Sequence, residues 1–183
     1  FDGDEKSFWE NYTSRRLEKL GATAEQIVQL QPLLRQYMTK KYRPKNWAPP
    51  ELYDLLPKFR EAGYTLSVVS NRRQSFSDVL DELNLTDYFD MTMAAGEVNS
   101  WKPEPEIFTH ALKRTNMRAE ESFYIGDNYY ADIVGARNAG LTPVLYDPRG
   151  IFLEPDCPRI TSFTELPDIL KNRGESQKAS EKS

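Results

Sequence analysis

Along the first forty-five residues the apolar positions recur at helical spacing and no strand pattern appears. Phe8, Trp9, Tyr12, Leu17 and Leu20 mark one face, closed by Gly21. A second helix is predicted to open at Thr23, with Gln26 three residues on as a capping box, and to continue through Ile27, Leu30, Leu34 and Tyr37. Pro32 falls inside that pattern and predicts a break or kink near Gln31. The basic, Pro-rich stretch 40–50 reads as a linker.

Beyond it the pattern becomes strand–helix alternation. Leu52, Leu55, Leu56 and Phe59 form a helix face, with Pro50 suited to its start and Gly63 to its stop. The run 64–70 (YTLSVVS) reads as a buried strand, followed by a helix through Phe76, Val79, Leu80 and Leu83. A weak strand is predicted over 90–95, a helix carrying Ile107, Phe108, Ala111 and Leu112, and a short strand over 122–125. Then come a helix over 131–139 stopped by Gly140, a strand over 143–146, a short strand over 159–162 and a last helix over 164–170. The tail from Lys171 is nearly devoid of apolar residues and reads as disordered. The organisation expected is therefore a helical segment 1–45, an α/β core 46–170 and a tail 171–183. Short connections between alternating elements predict a parallel sheet with helices on both faces.

Composition narrows the function. The net charge is −4, which argues against a general nucleic-acid binder. Apolar runs are only a few residues long, so no membrane span is predicted, and Asp2, Asp4, Glu5 and Lys6 do not resemble a secretory leader. One His and one Cys exclude the usual zinc sites, and the lone Cys157 suits a reducing, cytoplasmic setting.

In a parallel α/β sheet, ligands bind beyond the carboxyl ends of the strands. Three such places carry chemistry. One is Ser70-Asn71-Arg72, a hydroxyl and backbone N–H groups suited to an oxyanion. A second is Lys102, in Ser100-Trp101-Lys102-Pro103, a positive charge able to neutralise phosphate or orient a carboxylate. The third is Gly126-Asp127-Asn128 with Asp132 five residues after Asp127, hard carboxylates of the kind that hold Mg2+ together with waters and a substrate phosphate. Each has a structural reading too: Ser70 as a turn residue, Asp127 as a cap, Asp132 as a carboxylate at a helix start, Lys102 as a loop cation. Three strand ends with complementary chemistry point jointly to phosphoryl transfer.

At these residues the chain resembles the haloacid dehalogenase-like hydrolase superfamily. VVSNR (68–72), WKPEPEIF (101–108) and IGDNYYADIVGARNAG (125–140) are similar to its second, third and fourth motifs, in order and spacing, and the resemblance covers roughly residues 49–170. It implies a Rossmann-like α/β core with a partial helical cap ahead of it. By that resemblance Ser70 binds the transferred phosphoryl group, and Asn71 and Arg72 line the phosphate or substrate side. Lys102 pairs with phosphate and nucleophile, Asp127 binds Mg2+ and Asp132 supports the metal. The expected activity is Mg2+-dependent hydrolysis of a small phosphorylated metabolite by a monomer, without nucleic acid or membrane partners. The acidic pair favours a phosphatase over a dehalogenase.

The family's first motif, D-x-D after an apolar strand, supplies its nucleophile, and the chain departs from it. Asp2-Gly3-Asp4 has the letters but no strand before it, and the chain opens on Phe1 rather than Met. The expectation is a chain without its nucleophile strand and with little turnover of its own. The alternative is a non-catalytic binding domain of the same fold. A receiver-type signalling domain fits poorly, because Lys102 precedes the strand bearing Asp127.

The remaining candidates read as structural. His110 is taken as a surface or packing residue and Cys157 as unactivated. Trp9, Tyr12 and Trp47 are taken as cap packing. Lys40, Lys41, Arg43 and Lys45 read as a solvated linker or an anion-steering patch, and Tyr129 and Tyr130 as packing or cleft-mouth residues.

Overall fold

The computed structural model describes residues 10, 13–15, 17–42 and 45–171, which group into two compact units divided between Lys45 and Asn46. Among the described residues no helix is long and apolar enough to cross a membrane.

In the first unit, helix α1 spans Ala24–Lys40 behind the expected capping box. The Gln26 amide donates to Thr23 Oγ1, and the Thr23 amide donates to Gln26 Oε1. Of the break or kink expected near Gln31, a break does not occur. Pro32 lies inside an unbroken helix. A proline removes one N–H from the ladder, and here Pro32 and Val28, four residues back, are both exposed, so water can satisfy the released carbonyl. The Gln31 side chain ties α1 to the preceding helical residues, donating to Glu10 O (2.8 Å) and Ser14 Oγ (3.1 Å). Leu17 is buried, but Leu20 lies exposed in the turn closed by Gly21. Leu33, Tyr37 and Met38 of α1 are exposed as well. The expectations for Phe8, Trp9, Tyr12 and Arg43, and for the tail 172–183, fall outside the described residues.

The second unit is α/β. Helix α2 (Leu52–Glu61) buries Leu56 and Phe59 and ends at Gly63, whose φ of +84° is the left-handed stop that glycine tolerates. Strand β1 is Ser67–Ser70, shorter than the run 64–70 suggests, because Tyr64 and Thr65 are exposed and unpaired with any strand. Helix α3 (Ser77–Glu82) leads to β2 (Met91–Ala94), which pairs parallel with β1. Helix α4 (Pro105–Thr115) starts with Pro105 in its first turn and fully buries Ile107 and Phe108. Strand β3 (Phe123–Gly126) is followed by a π-wound segment, Tyr129–Val134, that runs on as the short helix α5 (Gly135–Asn138). Strands β4 (Thr142–Tyr146) and β5 (Arg159–Ile160) complete a parallel β3-β4-β5 sheet. The last helix begins as a tight turn, Phe163–Glu165, and continues through 166–171.

Pro143 sits in β4 without penalty, and alternation explains it. The Thr142 amide donates to Ser122 O across to β3, while Leu145 and Asp147 donate to Pro158 and Ile160 on the other side. The missing N–H of Pro143 falls on the β5 side, before β5 begins.

The strands form two sheets, β1-β2 and β3-β4-β5, and among the described residues β1 and β3 are not paired. Three apolar clusters pack against these strands, one of them, with Leu56, Phe76 and Leu80, against Val68 and Ala94, and the other two meet at β3. Val69 and Tyr124 join Met93, Ile107 and Phe108 in one, while Leu66, Phe123 and Ile125 join Phe59, Val144 and Leu166 in the other. Successive strand residues face opposite ways, so Tyr124 and its neighbours in β3 place these clusters on opposite faces.

Candidate active site

The carboxyl ends of β1 and β3 converge on Lys102. Its Nζ donates to Asp132 Oδ1 (2.8 Å), Tyr124 Oη (2.8 Å) and Val69 O (3.2 Å). An ammonium has three N–H donors, and these three acceptors match them. The ion pair is buried on both sides, with 11% and 6% of the Lys102 and Asp132 side chains exposed. Burial works against the charged ammonium, but the Tyr124 oxygen and the Asp132 carboxylate outweigh it, and the Lys102 pKa is raised.

Local sequence explains how each partner reaches this point. Asn71, the residue after β1, clamps the Lys102 backbone: Oδ1 accepts its amide (2.7 Å) and Nδ2 donates to its carbonyl (2.9 Å). Asn71 therefore acts here by placing Lys102. Asn128 caps the segment after β3, accepting from the Ala131 amide (2.9 Å). The turn carries Asp132 back over Gly126, and Asp132 Oδ2 accepts the Asn128 amide (2.9 Å). A Cβ on Gly126 would lie 2.3 Å from Asp132 Cγ, so only glycine leaves room. Gly135 plays a similar role where Phe108 and Pro103 approach within 3.0 Å of where its Cβ would be.

Ser70 ends β1 half-buried, and its hydroxyl has no hydrogen bond among the described residues. Asp127 is exposed at the end of β3, and its carboxylate likewise accepts none. Arg72 is exposed and lies over the Phe76 ring at 5.9 Å. The structure thus brings Asn71, Lys102 and Asp132 into contact. Ser70 and Asp127 follow from their neighbours in the chain, and Arg72 turns toward α3.

For Mg2+ the donor set is of the right type. Asp127 is an open hard oxygen ligand, and one or two carboxylates with waters and a substrate phosphate suffice for this ion. Asp132 accepts one hydrogen bond at each oxygen, from Lys102 and from the Asn128 amide. No group of three candidate ligands occurs among the described residues.

Sequence reading missed Tyr124. Its hydroxyl accepts from Lys102 and donates to Val69 O (3.1 Å), and burial pushes its pKa up. Its place one residue before the Ile125-Gly126-Asp127 turn was the available signal. Asp147 shows the converse. It is a buried acid at the end of β4 that accepts the Ile151 and Phe152 amides (3.0 and 2.9 Å). His110 is exposed, and burial pushes the Cys157 thiol up, away from activation. Trp47 is exposed, not packed, and so are Lys40, Lys41 and Lys45. Tyr129 stacks on Phe152 and donates to Asp156, which Arg137 also binds, while Tyr130 is exposed.

The chain is similar to known proteins. A ribulose-1,5-bisphosphate 5-phosphatase from Halopiger xanaduensis is 35% identical over 100 residues, 54% of this chain and 42% of that protein. A glyceraldehyde 3-phosphate phosphatase from Pyrococcus furiosus is 30% identical over 132 residues, 67% of this chain and 54% of that protein. The chain spans about half the length of such relatives. In fold it is similar to a HAD phosphatase from Thermococcus onnurineus, with a TM-score of 0.64 and 22% identity over 90% of this chain and 89% of that one. The haloacid dehalogenase-like hydrolase family matches residues 4–145, with the strand-end Ser70, Lys102 and Asp127 inside the match, and the chain belongs to that family.

Proposed function

We propose that this chain carries the phosphate- and metal-binding half of a Mg2+-dependent phosphatase acting on a small phosphorylated substrate. The observation that supports it most is the buried Lys102 ammonium held between the carboxyl ends of β1 and β3, with the Ser70 hydroxyl and Asp127 carboxylate left open on those same ends. The names of the related phosphatases point the same way.

In this reading Ser70 donates to a phosphoryl oxygen and Lys102 stabilises its negative charge. Asp132 and Asn71 hold Lys102 in place. Mg2+ at Asp127 supplies further charge neutralisation on the phosphate. Phosphoryl transfer through an acyl-phosphate requires a carboxylate beside Lys102 as nucleophile. Among the described residues none ends a strand between β1 and β3. We therefore expect the 183-residue chain to bind phosphate while hydrolysing esters weakly.

Calorimetric titration with inorganic phosphate tests the binding. Saturable, Mg2+-enhanced binding is expected, weakened by Ser70→Ala and stripped of its Mg2+ dependence by Asp127→Asn. Phosphate binding indifferent to both substitutions overturns the assignment. Robust Mg2+-dependent turnover, lost in Asp127→Asn but kept in Asp2→Asn, overturns the need for a carboxylate from elsewhere. A second reading, a non-catalytic binding domain, is favoured by one observation: all three Lys102 donors already have partners in the protein. Phosphate binding that leaves turnover absent even with a nucleophile strand supplied favours this second reading.

A further inference from the structure

Strands β3 and β4 bring a second pair of polar groups together at their carboxyl ends. Their parallel register sets Ile125 beside Val144 and Gly126 beside Leu145. Continued by one residue, that register sets Asp127 beside Tyr146, the last residue of β4. Ile125, Val144 and Tyr146 all belong to the cluster that includes Phe59 of α2. Alternation along the strands therefore puts Asp127 and Tyr146 on that same face.

The Tyr146 ring is held, while its hydroxyl is left open. Phe163 packs on the ring with centroids 4.6 Å apart. Phe163 is fixed in turn by Glu51, whose Oε1 accepts the Phe163 amide (3.3 Å) and the Ser162 hydroxyl (2.9 Å). The Tyr146 hydroxyl makes no hydrogen bond among the described residues, and neither does the Asp127 carboxylate. Burial, then the charges of Glu51 and Asp127, push the Tyr146 pKa up, so the group stays a neutral phenol that both donates and accepts. The ring contact with Phe163 would be made equally by a phenylalanine. The hydroxyl is the part of this side chain that packing does not use.

A tyrosine hydroxyl stands further from its backbone than an aspartate carboxylate does. Beside Asp127, the Tyr146 hydroxyl therefore suits a water held by an ion on that carboxylate better than the carboxylate itself. Mg2+ dehydrates reluctantly and keeps several waters, so it offers such a partner. We propose that Tyr146 is a positioning residue for a hydrated divalent cation on Asp127, its hydroxyl hydrogen-bonding a water in the ion's shell. The role rests on the metal reading of Asp127 and adds an outer partner to it. Tyr146 would then do for the cation what Asn71 does for Lys102: it fixes a charge that another residue carries.

The test is a titration of the full 183-residue chain with Mn2+, which takes the same hard oxygen ligands, followed by electron paramagnetic resonance. Saturable binding is expected in the parent and its loss in Asp127→Asn. Tyr146→Phe keeps the ring on Phe163 and should weaken binding by about tenfold, the loss typical of an outer partner at a metal site. The urea midpoint of Tyr146→Phe without added metal should match the parent, because the hydroxyl makes no bond among the described residues. Unchanged Mn2+ affinity in Tyr146→Phe overturns the role of Tyr146 and leaves the metal reading of Asp127 standing. Weakened affinity together with a lowered midpoint overturns it too, as the mark of packing. A parent that binds no Mn2+, or binds it no better than Asp127→Asn, overturns the metal reading and the role of Tyr146 with it. If Tyr146→Phe does not fold, the parent alone decides. Adding Mg2+ should then give a tyrosine ultraviolet difference spectrum that Asp127→Asn lacks, and a flat spectrum overturns the proposal.

Discussion

The two ends of the gap between β1 and β3 are built on opposite principles. At the carboxyl end a buried ammonium has every donor matched, by a carboxylate, a phenol and a backbone carbonyl. Below it, apolar side chains line a slot whose flanking strands have no strand partner there among the described residues. The polar end is completed by the chain's own side chains, while the apolar slot relies on its two packed layers. The difference teaches where rigidity comes from at this site. Lys102 is held by charge and Asn71, and not by a continuous sheet beneath it.

The comparison can be broken at either end. Lys102→Met leaves Asp132 buried without its counter-charge and should cost about 3–5 kcal/mol, read as a shift of the urea midpoint. Adding Asp132→Asn to that variant should restore part of the loss, because the uncompensated charge is gone. Phe108→Ala, in the layer above the slot, should cost a similar 3–5 kcal/mol or so through cavity formation. Here Asp132→Asn should add a further loss and give no relief. Equal behaviour of the two pairs would show that both ends are held by the same forces.

A smaller effect is expected for the residue that joins the two regions. Tyr124→Phe keeps the ring against Phe108 (centroids 4.9 Å apart) and removes the hydroxyl. The loss should be about 1.5–3 kcal/mol, since the bond made is to a charged donor, and equilibrium unfolding measures it. A variant as stable as the parent would show that Asp132 and Val69 suffice to hold Lys102.

The smallest effect lies away from both regions and serves as a reference. Arg137 and then Tyr129 hold the Asp156 carboxyl at about 2, below its ordinary value of 3.8. A depressed pKa means that its contribution is complete above the ordinary value and is lost as pH falls from about 4 to about 2. Melting temperatures of the parent and Asp156→Asn should differ at neutral pH and converge across that window. A constant difference down to pH 2 would remove the ion pair as its source. The exposure of Asp156 and Arg137 keeps the effect modest.

Much of this was legible in the sequence. Capping chemistry located α1, because Thr23 and Gln26 act within one turn. Periodicity located β1, β2, β3 and α4, because burial of one face follows residue spacing. The strand-end rule by itself singles out Ser70, Lys102, Asp127 and Asp132. What escaped was non-local. Pro32 does not break α1, since an exposed helix can release one carbonyl to water. Residues 64–66 do not extend β1, since pairing with β2 begins only at Ser67 and Met91. Asn71 placing Lys102, Tyr124 bridging β3 to β1, and Asp147 buried over its loop depend on contacts distant in the chain or on burial that spacing does not encode.

Local covalent pattern therefore determined the elements, their parallel order, the family and the chemical types at the strand ends. The elements and the strand-end chemistry depend on residues within a turn or two of one another, and the parallel order and the family on the order and spacing of those elements along the chain. Only the tertiary structure decided that Lys102 and Asp132 form a buried pair while Asp127 stays open, five residues away. It also decided that, among the described residues, β1 and β3 are unpaired and an apolar slot lies between them. The reason is physical: burial, ion pairing and strand adjacency are set by which distant segments meet, and that is a property of the folded chain as a whole.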